Sequence, residues 1–388
     1  MASSGTDASN RAHLADARRV VLKIGSALLV DQKNGTLHRA WLEGLCADVV
    51  ALRELGKEVI LVSSGAVALG ARRLEVDARR ARLQDHQAAA AVGQIRLAHA
   101  YEEVLGRFGV TAAQILLTLD DSENRPRYLN AVNTFFTLLK YGAVPVVNEN
   151  DTVATQELRY GDNDRLAARV AQMVSADCLI LLSDVDGLYT ADPQTNEDAR
   201  HIPEVSRLTD EHLEMAGGPG SLVGSGGMRT KLEAARIAMG AGCRMAITSG
   251  HVPRPIQALE QGARATWFLP ASTPRAARKQ WIAGTLKPKG SLRLDKGAAA
   301  ALEGGRSLLP AGVTAVDGSF RRGDAVSLLD ENGSELGRGL CAYAADEARA
   351  IIGRRSAAIP EILGYRGREE IVHRDDLVLL RHAPGAIE

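Results

Sequence analysis

Between Arg19 and about Pro270, short β-branched apolar runs alternate with longer stretches whose apolar residues recur every three or four positions. The runs are Val20 to Ile24, Val59 to Val62, Thr111 to Leu117, Val144 to Val147, Leu179 to Leu182 and Met245 to Thr248. Each predicts a strand. Their nearly continuous apolar character predicts burial on both faces, as in a parallel sheet covered by helices. Between the first two runs, Leu42, Leu45, Val49 and Leu52 share one face of a predicted helix, and Leu129, Val132, Phe136 and Leu139 do the same further on. The fold class that follows is α/β with a mainly parallel sheet.

The pattern changes after Thr273-Pro274-Arg275. Beyond Arg278 it consists of short strands and glycine turns, such as Val313 to Val316, Asp317-Gly318, Ala325 to Leu329 and Asn332-Gly333. The predicted organisation is an α/β domain over 19–270, a linker over 271–277, and a small, mostly β domain over 278–388. Residues 1–18 lack the apolar centre of a signal peptide and read as a loose polar tail. A chain of 388 residues has room for two to three domains of about 150 residues each.

Composition narrows the function by exclusion. Lys plus Arg (47) equal Asp plus Glu (47), so net charge gives no sign of a polyanion or membrane-surface binder. Four scattered cysteines without a C-x-x-C pair read as buried hydrophobes in a reducing cytoplasm. No apolar stretch approaches the roughly 18 residues that cross a bilayer. A dinucleotide fingerprint is missing after the first strand, where Gly25-Ser26-Ala27-Leu28-Leu29 stands instead. Nor is there a G-x-S-x-G elbow, and the nine histidines form no metal-ligating motif.

Ligands of open parallel sheets sit beyond the carboxyl ends of the strands. Here those ends read Lys23-Ile24-Gly25-Ser26, Ser63-Ser64-Gly65, Asn148-Glu149-Asn150-Asp151 and Ser183-Asp184. Each alone is also ordinary turn chemistry; together they predict a polar cleft. Lys23 interrupts an apolar strand, which a charge does when an anion waits at the strand end, or when its stem merely snorkels to water. The stretch Gly224-Ser225-Gly226-Gly227-Met228-Arg229-Thr230-Lys231 runs into a helical pattern at Leu232, Ala235 and Met239. Glycines opening a helix leave free N–H groups, suited to a phosphate, although this is not a Walker A loop. Gly161-Asp162-Asn163-Asp164 reads as another helix start, whose acids either cap the helix or orient lysines, an ammonium or a magnesium–phosphate complex. Asp184-Val185-Asp186-Gly187 fails the calcium-loop pattern at Leu188 and Thr195 and is read as a turn.

These motifs, in this order, resemble the amino-acid kinase superfamily, and within it the branch that phosphorylates glutamate on the way to proline. The resemblance runs through Val21 to Ser26, Val62 to Ala66, Val146 to Asp151, Gly161 to Asp164, Gly187 to Pro193 and Gly226 to Lys231. The tail, with Arg278-Lys279-Gln280-Trp281-Ile282 and Ile362-Leu363-Gly364-Tyr365, resembles a PUA domain. Arg229 stands where the family pattern leads one to expect a small polar residue.

The resemblance implies the three-layer amino-acid kinase fold and a set of roles. Lys23 and Lys231 would contact the ATP phosphates and the transferred group, with Asp164 holding both lysines. Ser64, Asp151 and Asn163 would bind L-glutamate. Ser183, Asp184, Ser225, Gly226, Gly227, Met228, Arg229, Thr230 and Lys231 would bind the nucleotide, with Mg²⁺ held mainly by ATP phosphates and not by a protein metal site. It further implies proline as a feedback inhibitor, a homo-oligomer (dimer or tetramer), coupling to glutamyl phosphate reductase and a cytoplasmic location. Other readings are a kinase for aspartate, acetylglutamate or a nucleoside monophosphate, or an RNA-binding or RNA-modifying PUA protein. Residues 278–388 hold 17 Lys/Arg against 15 Asp/Glu, a net of only +2, so the basic footprint of an RNA binder is missing there.

Overall fold

The computed structural model describes residues 4–31, 34–77, 80–153, 163–216, 227–284 and 287–380. They form two units, one of residues 1–123 and 130–274, the other of 124–129 and 275–388. The first unit is built on eight strands: β1 (Arg19–Ile24), β2 (Glu58–Val62), β3 (Ala112–Leu117), β4 (Val144–Glu149), β5 (Cys178–Ser183), β6 (Glu204–Val205), β7 (Arg244–Ser249) and β8 (Ala265–Phe268). Their order across the sheet is β6-β8-β7-β5-β1-β2-β4-β3. All pairings are parallel except β7 with β8. The six apolar runs all became strands, while β6 and β8 gave no comparable signal.

β1 lies in the middle, in parallel register with β2 and β5, so that Lys23 pairs with Val62 on one side and Leu181 on the other. Its side chains alternate between faces. Val20, Leu22 and Ile24 join the core that takes in Leu42, Leu45, Val49 and Leu52 of the helix Arg39–Glu54. Val21 and Lys23 therefore point to the opposite face, toward the side of the sheet where the site is built.

Three sequence expectations need correction. The opening segment is not a loose tail but a helix, α1 (Ser4–Ala15). Its anchor is polar: Asn10, only 2% exposed, donates to the carbonyls of Leu259 and Ala263 and accepts from the Trp267 indole. In the helix Arg125–Lys140, the fully buried aromatic is Phe135, while Phe136 is 38% exposed and lies under the Arg19 guanidinium. The segment 271–277 is not linker throughout, because a helix runs over Pro274–Gly284. Proline suits a first helical position, where its missing N–H loses no bond. Ser225 and Gly226, expected to contact the nucleotide, lie outside the described residues.

The second unit carries a separate five-stranded sheet, β9 (Gly290–Leu294), β10 (Val313–Gly318), β11 (Ala325–Leu329), β12 (Glu335–Leu340) and β13 (Leu377–Leu379), ordered β10-β9-β11-β12-β13. Leu292, Leu294, Val326, Leu328, Ile351 and Ile371 form its core. Gly318 and Gly333 sit at φ of 89° and 87°, as the predicted turns require. Among the described residues of the whole chain, no helix is long and apolar enough to cross a membrane.

Candidate active site

The sheet order brings four of the polar strand ends to one edge. Gly25 N donates to Leu182 O, which sets the end of β1 beside Ser183, and Ser63 N donates to Val147 O, which sets the end of β2 beside Asn148. The helix α2 (Ala66–Arg73) starts immediately after Ser64, with Gly65 at φ 103° turning the chain. That φ is hostile to a side chain, so the glycine is required. Ser64 is buried, and its neighbour Ser63 is occupied by the Tyr101 hydroxyl at 3.0 Å.

Two further helices open toward this edge. α3 (Asn163–Met173) begins with Asn163 and Asp164, and α4 (Met228–Gly240) carries Thr230 and Lys231 in its first turn. Asp164 is the hub. Lys23 Nζ lies 2.7 Å from its Oδ1 and Lys231 Nζ lies 3.2 Å from its Oδ2. Thr230 Oγ1 donates to the same Oδ2 at 3.1 Å. Lys23, Lys231 and Asp164 are only 8%, 4% and 1% exposed. Burial alone would raise the Asp164 pKa, but the two ammonium groups hold it below the ordinary carboxylate range. Two positive charges thus face one negative charge out of water, leaving a net cationic site that an anion would complete.

Asp151 behaves in the opposite way. It starts a short turn after β4, and burial, with no cation beside it among the described residues, pushes its pKa up to about 6. A group in that state favours a ligand that brings a positive charge. Asn163 is buried, and its Oδ1 has no hydrogen-bond partner among the described residues. Ser183 Oγ donates to Asp184 Oδ1 at 2.8 Å at the end of β5. Arg229 points away along its helix toward Glu233, at 3.7 Å, and its side chain is 62% exposed.

One participant escaped the motif reading. Asn148 donates to Gln94 Oε1 at 2.6 Å and accepts from Glu149 N at 2.9 Å, so Gln94 fixes the turn that leads into Asp151. Gln94 also lines, with Glu149, Asn150 and Asp151, a cavity of about 260 Å³. A single amide inside a long helix carries no motif of its own. The available signal was its place one residue after Gly93, on a helix otherwise rich in alanine.

A cationic, lysine-lined edge at the carboxyl ends of a parallel sheet defines a phosphate-handling α/β protein, and comparison with known proteins fixes the class. The chain belongs to the amino acid kinase family, whose model matches residues 18–249, and a PUA domain model matches residues 290–363. Among its curated relatives are glutamate 5-kinases. That of Paramagnetospirillum magneticum is 63% identical over 366 residues, covering 94% of this chain and 99% of the relative. That of Jannaschia sp. is 60% identical, covering 95% and 100%, and that of Rhodospirillum rubrum is 59% identical, covering 92% and 96%.

Proposed function

We propose that this chain transfers the γ-phosphoryl group of ATP to the γ-carboxylate of L-glutamate, giving L-glutamyl 5-phosphate and ADP, the first step of proline biosynthesis. The observation that carries the reading is the convergence of Lys23 and Lys231 on the single buried carboxylate of Asp164. The names of the relatives supply the substrate.

The chemistry suits such a site. A γ-carboxylate with a solution pKa near 4.3 is already ionised at neutral pH, so the nucleophile needs no general base. One of its oxygens forms a bond to Pγ while the bond from Pγ to the bridging oxygen breaks, and ADP leaves with that electron pair. The barrier is repulsion between an anionic nucleophile and an anionic triphosphate, which alignment and cations relieve. Lys23 and Lys231 meet that charge, and Asp164 keeps both ammonium groups aimed when no nucleotide is present. Mg²⁺ would be held mainly by the ATP phosphates and would screen the charge of the triphosphate.

In this reading Asp151 takes the α-ammonium of glutamate, with Ser64 and Asn163 completing its polar contacts. Ser183, Asp184 and the residues from Gly227 to Lys231 take the nucleotide, with Arg229 at the rim. Proline competes in the glutamate pocket as a feedback inhibitor. The four free, buried cysteines, whose thiols burial holds largely protonated, suit the cytoplasm. Trapping with hydroxylamine in the presence of ATP and Mg²⁺ tests the function. Hydroxamate should form with glutamate and not with aspartate or acetylglutamate; equal or greater yield with either of the others would overturn the substrate assignment.

A further inference from the structure

Thr230 is the third residue of α4, and its hydroxyl has two acceptors in reach: Gly227 O at 2.8 Å and Asp164 Oδ2 at 3.1 Å. A threonine hydroxyl carries one proton and donates to one of them at a time. The Gly227 carbonyl does not depend on it, since it also accepts from Thr230 N at 3.1 Å. Asp164 Oδ2 is different. It receives Lys231 Nζ at 3.2 Å, on a side chain almost wholly out of water.

The demand of that oxygen changes through the reaction cycle. If Lys231 turns its ammonium to a phosphate oxygen, Oδ2 loses its charged donor at a site where an unpartnered carboxylate oxygen is costly. The hydroxyl already placed beside it can take over by rotating about one side-chain bond. We infer that Thr230 is a positioning residue that exchanges Gly227 O for Asp164 Oδ2 as Lys231 moves onto the triphosphate. Asp164, and through it Lys23, then stays fixed during transfer. This rests on the assignment of Lys231 to the nucleotide made above.

The test uses Thr230→Val, which keeps the shape and removes the hydroxyl, and Thr230→Ser, which keeps the hydroxyl. Calorimetric titration with a non-hydrolysable ATP analogue and Mg²⁺, without glutamate, should show affinity weakened about tenfold in the valine variant. The serine variant should stay within about twofold of wild type. In turnover, the valine variant should lose about tenfold in kcat while its KM for glutamate is unchanged. Placed in an Asp164→Asn background, Thr230→Val should have little further effect, because the charged acceptor is gone. Wild-type affinity in the valine variant, equal weakening in the serine variant, or a full effect in the Asp164→Asn background would each overturn the inference. If circular dichroism finds the valine variant unfolded, Thr230→Ala carries the same comparison. Because the titration omits glutamate, a wild-type protein that binds the analogue but makes no acyl phosphate would end the substrate proposal and leave the role of Thr230 under test.

Discussion

Gly70 and Gly93 meet backbone to backbone where the helix Ala66–Arg73 crosses the helix Leu83–Gly106. A Cβ on Gly70 would stand 1.7 Å from Ala89 O and 2.8 Å from Gly93 N, and a Cβ on Gly93 would stand 1.8 Å from Ala66 O. Neither can be accommodated without moving a helix. Because the first of these helices begins directly after Ser64-Gly65, the crossing sets where Ser64 lies at the sheet edge.

Gly93→Ala should therefore act on both stability and substrate binding. Overpacking of this kind costs about 1–3 kcal/mol, which urea unfolding would register. The displaced helix start should raise the KM for glutamate severalfold while leaving the KM for ATP near its original value. A stable variant with both constants unchanged would separate the crossing from the site.

The two lysines make a sharper prediction. Replacing Lys231 by Ala, or Lys23 by Ala, removes a charge that works on the transferring phosphate, so kcat should fall by about 10²–10³. Circular dichroism should remain native, while urea unfolding should register a lower stability, because buried Asp164 loses one of its two ammonium partners. Near-normal turnover in Lys231→Ala would remove it from the transfer step.

Much of this site was legible before the structure, for specific reasons. Lys23 announced itself because a charge inside an apolar strand needs an explanation, and Asp164 because it stood at a helix start among other polar residues. Their pairing was expected only through the family resemblance; spacing along the chain does not give it, since it depends on β1 lying centrally and on the pleat that turns Lys23 toward the helix Asn163–Met173. Periodicity also could not choose between Phe135 and Phe136, as both lie at helical spacing from Val132, three and four residues on. The opening helix was missed because, beside Leu14 in the core, it is held by the amide of Asn10, which a reading that counts apolar residues passes over.

That anchor can be tested separately from catalysis. Asn10→Leu removes three hydrogen bonds and leaves the buried Trp267 N–H without its acceptor. The expected loss is about 2–4 kcal/mol, seen as a lower Tm, with kcat and both KM values unchanged. A variant as stable as wild type would mean that the hydrogen bonds of Asn10 contribute little to the first unit.

Asp151 gives a pH dependence whose sign follows from its environment. With a folded-state pKa of about 6 against an ordinary value of 3.8, the folded protein holds this proton more tightly than the unfolded chain does. The contribution to stability is complete below about pH 4 and disappears as pH rises through about 6, a change of at most about 3 kcal/mol. Asp151→Asn should therefore flatten the stability profile between those values. Substrate binding should run the other way, because only the ionised carboxylate attracts an ammonium group. The KM for glutamate should rise as pH falls from 7 to 5, whereas in Asp151→Asn it should be high throughout and nearly independent of pH. Steady-state kinetics across that range decide the matter: a wild-type KM that stays level down to pH 5 would show that Asp151 does not meet the ammonium.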